Sequence, residues 1–148
     1  MKKILFILTI ILLTVTTGCK KDKNPIDYKS LVIGEWHCAP TNIDADIHAV
    51  FEEDGSFDLY QRVGEGRYRH YEGTWSSDKS TLSGTYSDGS DWGSSYKMDF
   101  DDDNTMILTA LNGSEEVMTY LRDAVPAEVK DSCIDVKSTD WSDYSPAF

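Results

Sequence analysis

Three histidines, three cysteines and a run of aspartates are the side chains of this 148-residue sequence whose chemistry could do more than pack. His37, His48 and His70 are its only imidazoles. Three imidazoles hold zinc when three strands present them together, but no H-E-x-x-H and no close spacing pairs these. Asp99, Asp101, Asp102 and Asp103 begin like a D-x-D-x-D calcium loop. Asn104 stands where such a loop needs glycine, and Ala110 where it needs a bidentate glutamate. A solvated hairpin turn is the expectation there, and neither a metal nor a cofactor is expected. The sequence has no G-x-S-x-G, no Gly-rich phosphate loop and no C-x-x-C. Carboxylates are so plentiful that a close pair would say nothing of glycoside chemistry. A non-enzymatic protein is expected.

The one basic cluster is Arg62, Arg67, Arg69 and His70, around Gly64-Glu65-Gly66 and interleaved with Tyr60, Tyr68 and Tyr71. Two readings stay open. It is a solvated strand face paired with Asp58 and Glu72, or it recognises an anionic sugar, a carboxylate or an acidic protein. Trp92 sits beside the polar loop Ser87-Asp88-Gly89-Ser90-Asp91, an arrangement suited to stacking on a sugar ring or to packing. Tyr71 and Trp75 join Arg62, Arg67, Arg69 and Trp92 as candidate contacts with a ligand or partner.

Short alternating segments must position these groups. Strands are expected at Leu31–Ala39, Ile47–Glu53, Ser56–Val63, Arg67–Ser76, Thr81–Tyr86, Ser94–Phe100, Met106–Leu111 and Glu116–Arg122. Alternation is plain in Ile47, Ala49, Phe51 and in Tyr96, Met98, Phe100. Asp54-Gly55 and Asn112-Gly113 are the strongest turn signals between them. Period two with frequent turns predicts an antiparallel all-β domain, a barrel or a sandwich. A short helix is expected at Pro126 to Asp131, with proline in its first turn. Beyond it, Trp141, Tyr144 and Phe148 leave two readings open, a docked segment or an exposed tail.

The N-terminus has a different character. Lys2-Lys3 precede an apolar run from Ile4 to Val15, and small residues follow, as in a secretory signal. The run is short of the about 20 apolar residues that span a bilayer. Thr16-Thr17-Gly18-Cys19 resembles a bacterial lipobox, although Thr16 replaces the usual leucine. The resemblance implies cleavage before Cys19, lipidation of its thiol, and an outer-membrane lipoprotein facing the periplasm or the surface. Removing Lys2 and Lys3 takes the formal net charge from −12 to about −14. That acidity excludes nucleic acid as a partner, because phosphate binding needs a surplus of cations. With Cys19 lipidated, Cys38 and Cys133 remain as a pair in an oxidising compartment. A disulfide between them is expected, with two separate buried thiols as the rival reading.

Eight short antiparallel strands of this kind resemble an up-and-down, lipocalin-like barrel. Gly34-Glu35-Trp36 is similar to that group's G-x-W, and Arg122 stands where such barrels place an arginine over the first-strand tryptophan. Phe51-x-x-Asp54-Gly55-x-Phe57, Gly73-Thr74-Trp75, Thr81-Leu82-Ser83-Gly84 and Tyr120-Leu121-Arg122 are similar to lipocalin-like lipoproteins of Gram-negative bacteria. The resemblance implies a structural role for Gly34, Trp36 and Arg122. It also implies a membrane-anchored, monomeric binding protein for a small hydrophobic or amphipathic ligand. The alternative is a surface or glycan-contacting module with a filled barrel. The expected organisation is a signal at 1–18, lipidated Cys19 and tether at 19–29, barrel at 30–123, and a helix and tail at 124–148.

Overall fold

The computed structural model describes residues 25–137 and 146–148. The expected signal, Cys19, Trp141 and Tyr144 lie outside the described residues. Among those described, no helix is long and apolar enough to cross a membrane.

Helix α1 (Tyr28–Val32) leads into strand β1 (Gly34–Cys38). The meander continues through β2 (Ala45–Phe51), β3 (Ser56–Val63), β4 (Arg69–Asp78), β5 (Thr81–Tyr86), β6 (Tyr96–Asp102), β7 (Thr105–Ala110) and β8 (Val117–Arg122). Each strand pairs antiparallel with the next, and β8 pairs with β1. The sheet is thus a closed, eight-stranded up-and-down barrel. Helix α2 (Ala127–Ser132) and strand β9 (Ile134–Asp135) follow, with β9 running parallel to the start of β4.

Alternation and register together assign the faces. Phe51 faces Phe57, Ala49 faces Leu59 and Ile47 faces Gln61, so these side chains share the lumen. The lumenal core runs from Trp36 and Phe51 through Leu82 and Met98 to Leu108 and Tyr120. The opposite faces of β2 and β3 carry a small outer cluster, in which Val50 and Tyr60 pack against Val125 and Val129. Helix α2 is fastened there by Glu35, which accepts from the Lys130 ammonium at 3.1 Å and from the Val125 amide at 2.5 Å.

Two expectations change. The segment before Gly34 is helical, not extended: Asp27 caps α1 by accepting from the Ser30 amide, a local bond that competes with strand pairing. The expected disulfide is absent, and Cys38 and Cys133 are free thiols. Cys38 belongs to the lumenal core, whereas Cys133 packs with the outer cluster, so the barrel wall lies between them. Strand alternation put Cys38 on the same face as Trp36, but nothing in the sequence shows which face of the wall the C-terminal segment meets.

Candidate functional site: the barrel lumen and its outer wall

One end of the lumen is closed by residues of β1, β8 and α1. Trp36 is fully buried, and its indole donates to the Val32 carbonyl at 2.8 Å. The Arg122 guanidinium lies 4.2 Å from the centre of the Trp36 ring. It donates to Ile33 and Leu31 carbonyls at 2.9 Å each, and to Asp103 at 3.0 Å. Gly34 has φ +134°, and a Cβ there would come within 2.2 Å of Arg122 Nη1. The turn holding Asp103 and Asn104 is therefore a fastener for Arg122, with Asp102 accepting from the Asn104 amide at 2.8 Å.

The other end is built differently. Strands β5 and β6 pair only at Thr81–Lys97 and Leu82–Tyr96 before the loop 87–95 intervenes. Trp92 of that loop fills the opening, close against Gly84, where a Cβ would meet its ring at 2.4 Å. Its ring meets Phe57 edge-on at 5.1 Å. Trp92 is buried, 6% exposed, so of its two readings the packed one holds: the ring sits inward, beside the point where β5 and β6 part. Trp75 is also buried, with its indole nitrogen donating to the Glu52 carbonyl.

Inside the lumen lies a group that belongs to no wall strand. Phe148 is 1% exposed, and its ring stacks on Trp92 at 4.6 Å and 22°. Phe51, Phe57, Tyr96 and Tyr120 surround it at 5.7 to 6.5 Å. The backbone is held too. Tyr86 donates its hydroxyl to the Phe148 carbonyl at 2.6 Å, and Tyr96 donates to the Ala147 carbonyl at 3.2 Å. Burial pushes the Tyr96 phenol up to about 12 and the Tyr86 phenol higher still, so both remain donors at neutral pH. Trp92 Nε1 is buried without a hydrogen-bond partner among the described residues. The docked reading of the C-terminal segment thus holds for Phe148.

The basic hairpin divides between faces. Arg69 lies opposite Gln61 on the lumenal face, at the rim, where both line a hollow of about 310 Å³ with Val63, Arg67, Tyr71 and Ile134. Tyr71 itself is buried in the core. Arg67 donates to the Ser132 carbonyl at 2.8 and 3.1 Å, fixing the end of α2. Arg62 sits on the outer wall, 3.6 Å from Asp46 and over the Tyr68 ring. The three arginines therefore form no single patch.

His70 lies on the outer wall between two carboxylates. Its Nε2 is 2.6 Å from Asp58, and its Nδ1 is 2.9 Å from Asp135 of β9. Tyr60 stacks on the ring at 4.6 Å. The bond to Asp58 and then that to Asp135 raise the imidazole above its ordinary value, against desolvation. Cys133 lies nearby, but both ring nitrogens are engaged and burial raises the thiol, so the pair is not an activated nucleophile. The other two histidines meet on β1 and β2: His37 is the cross-strand partner of His48. Asp46, which no sequence motif marks, joins them. The offset of His37 and His48 from the β1–β2 turn was the signal that could have paired them, once the register was known.

No protein-family model matches the chain, and no curated protein matches it significantly.

Proposed function

We propose that this chain is a lipocalin-like lipoprotein, anchored to the outer membrane through Cys19, whose barrel binds a small hydrophobic or amphipathic ligand without catalysing a reaction. One observation carries the reading: the lumen holds an aromatic group, Phe148, that is not part of its wall. Five aromatic rings form the socket, and two tyrosine hydroxyls donate to carbonyls beside it. A ligand with an apolar ring or chain next to a carbonyl or carboxylate would meet the same chemistry. A ligand acceptor would also supply the partner that Trp92 Nε1 lacks. Polar Gln61 and Arg69 at the rim suit an amphipathic ligand whose head stays near water. Entry then requires Phe148 to leave, because the surrounding lumen is filled by its own side chains.

Titration with an environment-sensitive hydrophobic fluorophore tests this. Phe148→Ala should bind it at least about tenfold tighter than the parent, since an intramolecular competitor reduces apparent affinity by the fraction of open protein. Absence of saturable binding by both proteins would overturn the reading. The filled lumen itself favours a second function, a surface interaction module. For that reading the outer groove of Thr74, Ser76, Ser83, Thr85 and Asp91 is the place for glycan contact. Retention on immobilised glycans, unchanged by Phe148→Ala, would support it.

A further inference from the structure

The outer face of the β1–β2 hairpin carries a second constellation, independent of the lumen. His37 and His48 face each other across the strand pair, with ring centres 4.6 Å apart and planes 21° from parallel. Asp46 precedes His48 by two residues and shares its face. Its Oδ1 lies 2.6 Å from His37 Nε2 and 4.0 Å from His48 Nε2. The three side chains each offer one ligand atom within 4.8 Å of the others.

Two further observations separate this cluster from ordinary surface pairing. The second oxygen of Asp46 accepts from the Tyr68 hydroxyl and lies 3.6 Å from the Arg62 guanidinium. The carboxylate is thereby held with Oδ1 turned to the imidazoles, as outer-shell partners hold a metal ligand. His48 is 4% exposed, yet its Nδ1 has no partner and its Nε2 stands beyond hydrogen-bond range of Asp46. An ion held between the buried His48 Nε2 and Asp46 Oδ1 would make a connection that their 4.0 Å separation leaves unmade.

We propose that His37, Asp46 and His48 bind one divalent transition-metal ion of the zinc class. Two imidazole nitrogens and one carboxylate oxygen suit zinc, cobalt, nickel or copper rather than calcium or magnesium, which prefer all-oxygen shells. Zinc bonds of about 2.0 to 2.2 Å place two ligand atoms of a tetrahedral ion about 3.3 Å apart. The 2.6 and 4.0 Å separations fall on either side of that span. Rotation of His37, whose side chain is 30% exposed, closes the set around an ion. The ion takes the place of the proton shared by His37 and Asp46, which goes to solvent, and water fills the remaining position on the exposed side.

The test uses the purified protein, stripped with a chelator and titrated with zinc by calorimetry and with cobalt(II) by visible absorption. One equivalent should bind, with the absorption of a tetrahedral cobalt site. His37→Gln and Asp46→Asn should each weaken binding at least about tenfold. His70→Gln, which alters the Asp58–Asp135 clamp, should leave it unchanged. Nitrogen-15 spectra of the parent protein make the assignment without any variant: zinc should shift the His37 and His48 ring signals and spare His70. No saturable binding at millimolar zinc, or binding lost in His70→Gln but kept in His37→Gln, would overturn the site.

Discussion

The two ends of the barrel solve the same problem in different ways. At one end Trp36 of the first strand and Arg122 of the last close the lumen by donating to carbonyls of α1 and of Ile33 just after it. At the other, β5 and β6 part after two residue pairs, and Trp92 and Phe148 fill the space from a loop and from beyond the strands. The first closure is made by side chains of two wall strands, which pair with each other and bond to the segment that enters β1. The second is made by ring contacts, by two tyrosine hydrogen bonds to a segment outside the strands, and by Trp92, whose amide donates to the Gly84 carbonyl. If stability follows these contacts, it is concentrated at the first end.

The largest effect should come from Trp36→Ala, a full-size cavity under the arginine, at about 3 to 5 kcal/mol in denaturant unfolding. Gly34→Ala should follow at about 1 to 3 kcal/mol, since it combines a positive φ with collision against Arg122. Phe148→Ala should cost less than about 3 kcal/mol, because a segment outside the sheet can peel away instead of leaving a void. If it costs as much as Trp36→Ala, the contrast fails and the two ends unfold as one core.

A smaller effect concerns pH at the outer wall, where β9 meets β4. The His70 pKa is raised above 6.5, so the stability its cation contributes is complete below pH 6.5 and is lost as pH rises through the folded value. Asp135 is lowered below 3.8 by the same bond, so its share is lost as pH falls through that lower value. Thermal melts between these limits should show a plateau, and His70→Gln should remove the decline on the alkaline side. The smallest effect is that of reductant, which should leave the melting temperature unchanged. Peptide mapping after thiol alkylation without reductant should find Cys133 modified in the native protein and Cys38 only after unfolding.

The wall of the barrel was legible in the sequence because β alternation and turn chemistry are local. Ser56–Val63 and Thr81–Tyr86 match expectation at both ends, and the others shift by a few residues. Trp36 and Arg122 were legible through resemblance to the G-x-W and last-strand arginine of lipocalin-like barrels, and the closed barrel sets them opposite each other. The contents of the lumen were not. Phe148 reaches it from 56 positions beyond Trp92, and period two says nothing of what enters a barrel from outside its strands. Asp46 was missed for a related reason: a lone aspartate acquires meaning only when register brings His37 and His48 beside it.

Strand β9 is only two residues long, yet its position matters for how the protein behaves in a crowd. Residues 69 and 70 of β4 lie beyond the reach of β5, whose pairing begins at Gly73, so one side of β4 would present open backbone groups. Ile134 and Asp135 cover that stretch: the Ile134 amide donates to Tyr68 and the Val136 amide to His70. An uncovered edge of this kind is a template on which another chain can add a strand. The small clamp of His70 and Asp135 therefore guards a concentration-dependent property, self-association, which is felt most by proteins held side by side.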